Sequence, residues 1–193
     1  GRNDAPIKRE TCVTVTIEPA GTVAGETVRR AVLRNGRGLE AAVSSFGATL
    51  EWLRLPGPDG SPVDLVLGFD GPEDYATRPG SVGATVGRFA NRIAHGRFTL
   101  DGRTFQLPRN QDGRHSLHSG PRGLGLRPWR LEPVAGACAV RLSIVSPDGD
   151  NGFPGRLEAS CTYALDEADL LRIEMTATTD APTPVNLVNH SYW

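Results

Sequence analysis

The chain has 193 residues, with 21 Lys+Arg against 22 Asp+Glu and a formal net charge of −1. That balance, with no basic block, argues against nucleic acid or an anionic membrane as partner. No apolar run approaches the length of a bilayer-spanning helix.

A chain of this length is most simply one domain over residues 1–193, large enough to bury a substantial core. Lys8 is the only lysine, a bias that reads as codon composition rather than chemistry. Cys12, Cys138 and Cys161 are odd in number and far apart. Such spacing suggests buried free thiols, not a disulfide framework or a zinc site. The sequence opens at Gly1 with no signal peptide, so a leader or tag boundary could have been removed. The expected compartment is the cytoplasm, with export as the alternative.

Strand periodicity runs nearly throughout. Cys12 to Ile17 places Val13, Val15 and Ile17 on one face, and Val28–Arg34, Leu39–Phe46, Ala48–Leu55 and Val63–Phe69 follow as short candidates. Pro56-Gly57-Pro58-Asp59-Gly60 makes a turn, and Pro72-Glu73-Asp74-Tyr75 allows only a helical turn. Next comes Val86 to Leu107, around which the rest of the chain is organised. Its second half predicts a β-hairpin: Phe98 and Leu100 alternate on one arm, Phe105 and Leu107 on the other, and Asp101-Gly102 lies between them. Asp-Gly favours the type I′ turn, in which both central residues need φ > 0. The first half, Gly87 to Arg92, puts two guanidinium groups and an amide on a short segment leading into that hairpin. Planar, multi-donor side chains on a scaffold-held loop suit a small ligand rich in oxygen.

Later strands are cleaner. Val140, Leu142 and Ile144 alternate with polar neighbours, as do Leu157 through Leu165 and Leu171 through Ala177. Many short strands with 23 glycines and 15 prolines predict an all-β fold, a large antiparallel β-sandwich. Thr183 to Trp193 reads as a further strand, apolar to its last residue. A sheet ending there would expose aromatic surface and an unpaired edge, so the expectation is a sandwich cut inside a larger fold.

Groups able to do chemistry are few. Histidine is the side chain most able to exchange a proton near neutral pH, and there are four: His95, His115, His118 and His190. His190, with Asn186, Asn189, Ser191 and Tyr192, interrupts an otherwise apolar strand. His118 lies in a turn-like segment, His115-Ser116-Leu117-His118-Ser119-Gly120. A capped core histidine and a solvated loop residue are the plainer readings of the two. No His/Cys cluster has metal-ligand spacing, and neither a Gly-x-Ser-x-Gly elbow nor a phosphate loop is present. Asp148 to Gly152 superficially suggests a calcium loop but lacks its closing glutamate, and predicts a turn.

Several segments together resemble the aldose 1-epimerases (galactose mutarotases). They are Leu67-Gly-Phe-Asp70 with Glu73-Asp74-Tyr75, Gly83 to Ile93, the hairpin, Ser116-Leu117-His118, Ser146 to Gly149 with Gly152 to Gly155, and Asn186 to Tyr192. They occur in the family's order and spacing, and cover essentially everything from Asn35 to Trp193. The resemblance implies a galactose mutarotase-like sandwich whose open face binds a pyranose. It implies sugar-binding roles for Asn91 and Arg92, a sugar-contacting role for His118, and the proton donor in His190. Ser191 and Tyr192 fall in the segment that lines the sugar. Anomer interconversion needs an acid at the ring oxygen and a base at the C1 hydroxyl, and the implied chemistry uses no metal and no cofactor. Its partner is a small aldose, and no oligomeric state can be read.

Two segments depart from the family. His115-Ser-Leu-His-Ser-Gly120 stands where Asn-x-Leu-His-Gly-Gly is usual, and Gly123-Leu-Gly-Leu126 replaces a Gly-Phe-Asp segment. The family's base, a glutamate, and a sugar-binding aspartate lie beyond the Asn-His-Ser-Tyr segment. Glu51 and Glu174 fall at polar positions of predicted strands, where ordinary solvated faces explain them better than catalysis. The expectation is therefore an epimerase whose 193-residue chain alone has little or no activity. Alternatives are a non-catalytic carbohydrate-binding sandwich and a hexose-6-phosphate 1-epimerase, which would need extra basic groups.

Overall fold

The computed structural model describes residues 14–193, so Cys12 and Val13 of the first expected strand lie outside the described residues. In chain order, β1 (Thr14–Val23), β2 (Glu26–Arg34), β3 (Glu40–Ser44), β4 (Thr49–Pro56) and β5 (Pro62–Asp64) form one antiparallel meander. An excursion follows: α1 (Pro72–Thr77), β6 (Thr85–Val86), β7 (Arg92–Ile93), β8 (Arg97–Leu100), β9 (Arg103–Gln106) and β10 (Ser116–Leu117). The chain then builds a second antiparallel meander from β11 (Arg130–Pro133), β12 (Ala139–Ser146), β13 (Leu157–Leu165) and β14 (Leu171–Thr179), and ends beyond β15 (Val188–Asn189).

Alternation dictates how the two meanders pack. Inward side chains Ala31, Leu33, Ala41, Val43, Leu50 and Leu53 of the first meet Leu131, Val140, Leu142, Leu157, Cys161 and Tyr163 of the second in one buried cluster. The product is the expected antiparallel β-sandwich, with the excursion laid across it. Cys138 and Cys161 are buried free thiols. Tyr163, fully buried, donates its hydroxyl to Ala48 O at 2.8 Å and accepts Asn189 Nδ2 at 3.1 Å. Through it the core fixes the height of β15.

The hairpin turns on Asp101 (φ 49°) and Gly102 (φ 74°), as the Asp-Gly pair predicts. Phe98 stacks on Phe105 at 5.1 Å. Proline at the first turn and a buried Tyr75 give α1 its single short helix.

Other expectations are corrected. The strand foreseen over Val63–Phe69 ends at Asp64, whose carboxylate accepts the Val66 N–H at 3.3 Å and turns the backbone away. Edge strand β11 buries Leu131 alone, too little for a periodic signal. The run from Thr183 to Trp193 is not one strand. Asn186 bridges Phe89 in parallel, and only Val188 and Asn189 then pair antiparallel with β6. The segment threads between loops, so its ladder changes partner within a few residues.

Gly83 (φ 67°), whose N–H donates to His190 O, is itself closely packed: a Cβ there would lie 2.2 Å from Leu50 O. Gly83→Ala should lower stability by at least about 3 kcal/mol, read from the urea midpoint, because strained backbone and a backbone clash add.

Candidate active site

The segment 87–92 is anchored by one of its own side chains. Arg88 is 2% exposed. It donates Nε to Ser146 Oγ (3.0 Å), Nη1 to Pro154 O (3.0 Å) and Nη2 to Ser146 O (2.8 Å) and Pro147 O (2.7 Å). Burial lowers its pKa, the neighbouring Asp150 and Asp148 opposing that shift. Of the two guanidinium groups foreseen as ligand donors, Arg88 is thus structural: its fork closes on carbonyls of the β12–β13 connection. That connection contains the turn predicted over Asp148–Gly152, with Gly149 (φ 78°) and Asn151 (φ 49°) in left-handed conformation.

Asn91 and Arg92 emerge on the exposed side. Asn91 (φ 63°) and His118 (φ 51°) both adopt the left-handed region, rare for residues bearing a Cβ. Reciprocal bonds hold them there. His118 N donates to Asn91 O at 3.0 Å, and Asn91 N donates to His118 Nδ1 at 3.1 Å. The second bond leaves the neutral His118 ring with its proton on Nε2. Ser119 accepts the Phe89 N–H on Oγ at 2.8 Å. Its contribution was not read from sequence, because a lone serine in a loop carries no pattern.

From the other side, backbone bonds set β15 against β6: His190 N donates to Ala84 O (2.9 Å) and Gly83 N to His190 O (3.0 Å). The His190 and His118 rings meet at 5.1 Å between centroids, 88° apart, and Tyr192 lies 5.3 Å from His190. His190, His118, Asn91, Arg92 and Tyr192 line one groove of about 560 Å³, with Asn186 as an additional polar group. Arg92 donates Nη1 to Asn91 Oδ1 at 2.7 Å. Burial lowers the His118 pKa, and the neighbouring His190 and Arg92 push the same way. The neutral form of His118 is thereby favoured beside the His190 ring, with amide and guanidinium donors around the pair.

Ser191 does not join them. It is absent from the groove lining, and its buried Oγ has no hydrogen-bond partner among the described residues. Glu51 is not on a solvated face either. It is the extra residue of a bulge between β3 and β4, is 2% exposed, and pairs with Arg30 on Nε. Burial raises its pKa against the opposing pull of Arg30. Glu174 is exposed on β14. Among the described residues no carboxylate lines the groove, and no group of three or more His, Cys, Asp and Glu could hold a metal ion. No described helix is long and apolar enough to cross a membrane.

Residues 29–193 match the family model described as Aldose 1-epimerase. Aldose 1-epimerase of Escherichia coli (strain K12) is 40% identical over 175 residues, 91% of this chain and 50% of that protein. Galactose mutarotase of Rattus norvegicus is 41% identical over 169 residues, 88% of this chain and 48% of that protein. A crystal structure of galactose 1-epimerase from Lactobacillus acidophilus NCFM superposes with a TM-score of 0.81 at 30% identity, covering 94% of this chain and 53% of that one. The chain spans about half the length of the curated relatives it matches.

Arg88→Met should lower stability by about 3 kcal/mol in urea unfolding, since buried carbonyls lose their donors. By NMR titration, His118 should ionise below the ordinary histidine range. The fold favours its neutral form, so this contribution to stability is present above that range and is lost as pH falls through the lowered value.

Proposed function

This chain belongs to the aldose 1-epimerase family, and on that premise we propose that the groove binds the pyranose ring of an aldose such as glucose or galactose, with His190 as acid. The observation that carries the reading is the perpendicular contact of the His190 and His118 rings in one groove with the Asn91–Arg92 pair. Imidazolium at position 190 protonates the ring oxygen while a base removes the C1 hydroxyl proton. The ring opens, the C1–C2 bond rotates, and closure on the other carbonyl face returns both protons. His118 offers its Nε2–H to a sugar oxygen, and Arg92 fixes adjacent hydroxyls by directional hydrogen bonds.

The base is a carboxylate from outside the described residues, a reading supported by the lack of one along the groove. That same lack favours a second reading for the 193-residue chain, sugar binding without turnover. The two are consistent if the chain supplies only the acid side of the site.

Adding α-D-galactose to this chain should shift the imidazole resonances of His118 and His190, while polarimetry shows mutarotation at the buffer rate. Unmoved resonances would overturn sugar binding, and full catalysis would overturn the placement of the base. In a polypeptide extended to the relatives' length, His190→Asn should lower kcat by roughly 10²–10⁴-fold with little change in KM. Equal losses in affinity and turnover would favour a binding module.

A further inference from the structure

Arg92 is exposed, and an unrestrained arginine gives up considerable rotamer freedom when it grips a ligand. Here the guanidinium is already held on two edges. Besides the bond from Nη1 to Asn91, Nε donates to Gln111 Oε1 at 2.6 Å. Arginine has only donors, so the amide oxygen of Gln111 must be the atom facing it. Two acceptors on different edges fix the plane of the fork, and the remaining Nη protons stay available to a ligand.

Gln111 is itself rigidly placed. It closes a tight turn in which Gln111 N donates to His115 O and His115 N to Gln111 O, both at 3.1 Å. Asp112 (φ 52°) and Gly113 (φ 63°) turn the chain between them. Its neighbour Asn110 clamps Leu117 with both ends of the amide: Leu117 N donates to Oδ1 at 2.8 Å, and Nδ2 donates to Leu117 O at 3.0 Å. Leu117 is the ladder partner of Arg92 and directly precedes His118. Two successive amide side chains thus address both parts of one residue, Asn110 through the strand opposite its backbone and Gln111 through its side chain.

We infer that Gln111 is a positioning residue for Arg92, its amide oxygen holding the guanidinium in the orientation that meets the sugar. The inference rests on the sugar-binding reading of the groove. Gln111 touches no reacting atom. It acts by lowering the ordering cost that Arg92 would otherwise meet on binding. Carboxamide and carboxylate both present an oxygen at this reach, whereas leucine keeps the bulk and removes the acceptor.

The test compares the 193-residue chain with Gln111→Leu and Gln111→Glu by ¹⁵N NMR and galactose titration. The unsubstituted chain should show a slowly exchanging Arg92 Nε–H. Gln111→Leu should lose it and bind galactose about three- to tenfold more weakly, the scale of the net contribution of one ordinary hydrogen bond. Gln111→Glu should restore both while backbone amide resonances away from the turn stay in place. Should Gln111→Leu retain both the protected Nε–H and the affinity, the inference is wrong. Shifts spread over the whole amide spectrum would make Gln111 a structural residue and overturn it as well. Failure of the unsubstituted chain to bind galactose overturns the sugar reading instead, and is distinguished by needing no variant.

Discussion

A single buried cation sets the geometry of this protein's groove. Among the described residues Arg88 has no acidic partner in direct contact. Its charge is met by three backbone carbonyls and one hydroxyl, all in or beside the β12–β13 connection. Burying a guanidinium without such acceptors would be prohibitive, so the loop 87–92 and the connection can exist in these conformations only together. Once the loop is pinned, its backbone becomes a template. Arg88 O accepts Asn186 N at 2.8 Å, and Ala90 N donates to Asn186 O at 2.8 Å. The segment carrying His190 is aligned by those bonds, and the His118 turn by the bonds from Asn91 and Phe89.

Apart from Arg92 on the two-residue strand β7, the polar groups of the groove sit on irregular backbone that hydrogen bonds to other segments hold in place. Left-handed Asn91, His118 and Ser119 each adopt a conformation that costs free energy, and each is tied by a hydrogen bond to another segment. Arg92 shows the same economy at the side-chain level, held by Asn91 and Gln111. Preorganisation of this kind matters more for a sugar than for an apolar ligand. Hydroxyls are well hydrated in water, and only donors already in place repay their desolvation.

How legible this was depended on the physics behind each element. Turn chemistry needs no tertiary context, so Asp101-Gly102 and its hairpin could be read directly, and long alternating strands such as β12 to β14 were nearly as plain. The fates of Arg88 and Arg92 could not be told apart, because side chains four residues apart on an irregular loop carry no period. Only the fold reveals which guanidinium finds carbonyls. Glu51 misled for a related reason: a bulge shifts alternation by one residue, and nothing local marks it. The histidines became a pair only through the family resemblance and then the structure, since 72 positions separate His118 from His190 in the chain.

The Arg88 clamp also bears on how such a groove can be transplanted. A graft of residues 86–92 onto another sandwich would arrive with a buried positive charge and no carbonyls to receive it. The portable unit is discontinuous, comprising that loop and the 146–155 connection, whose proline and glycine turns aim three carbonyls at one point. Lysine would be a poor replacement, because a single ammonium cannot reach acceptors spread across the width of a guanidinium. Exchange of one of the two segments would thus preserve the groove only where the incoming one brings the same guanidinium or the same three carbonyls.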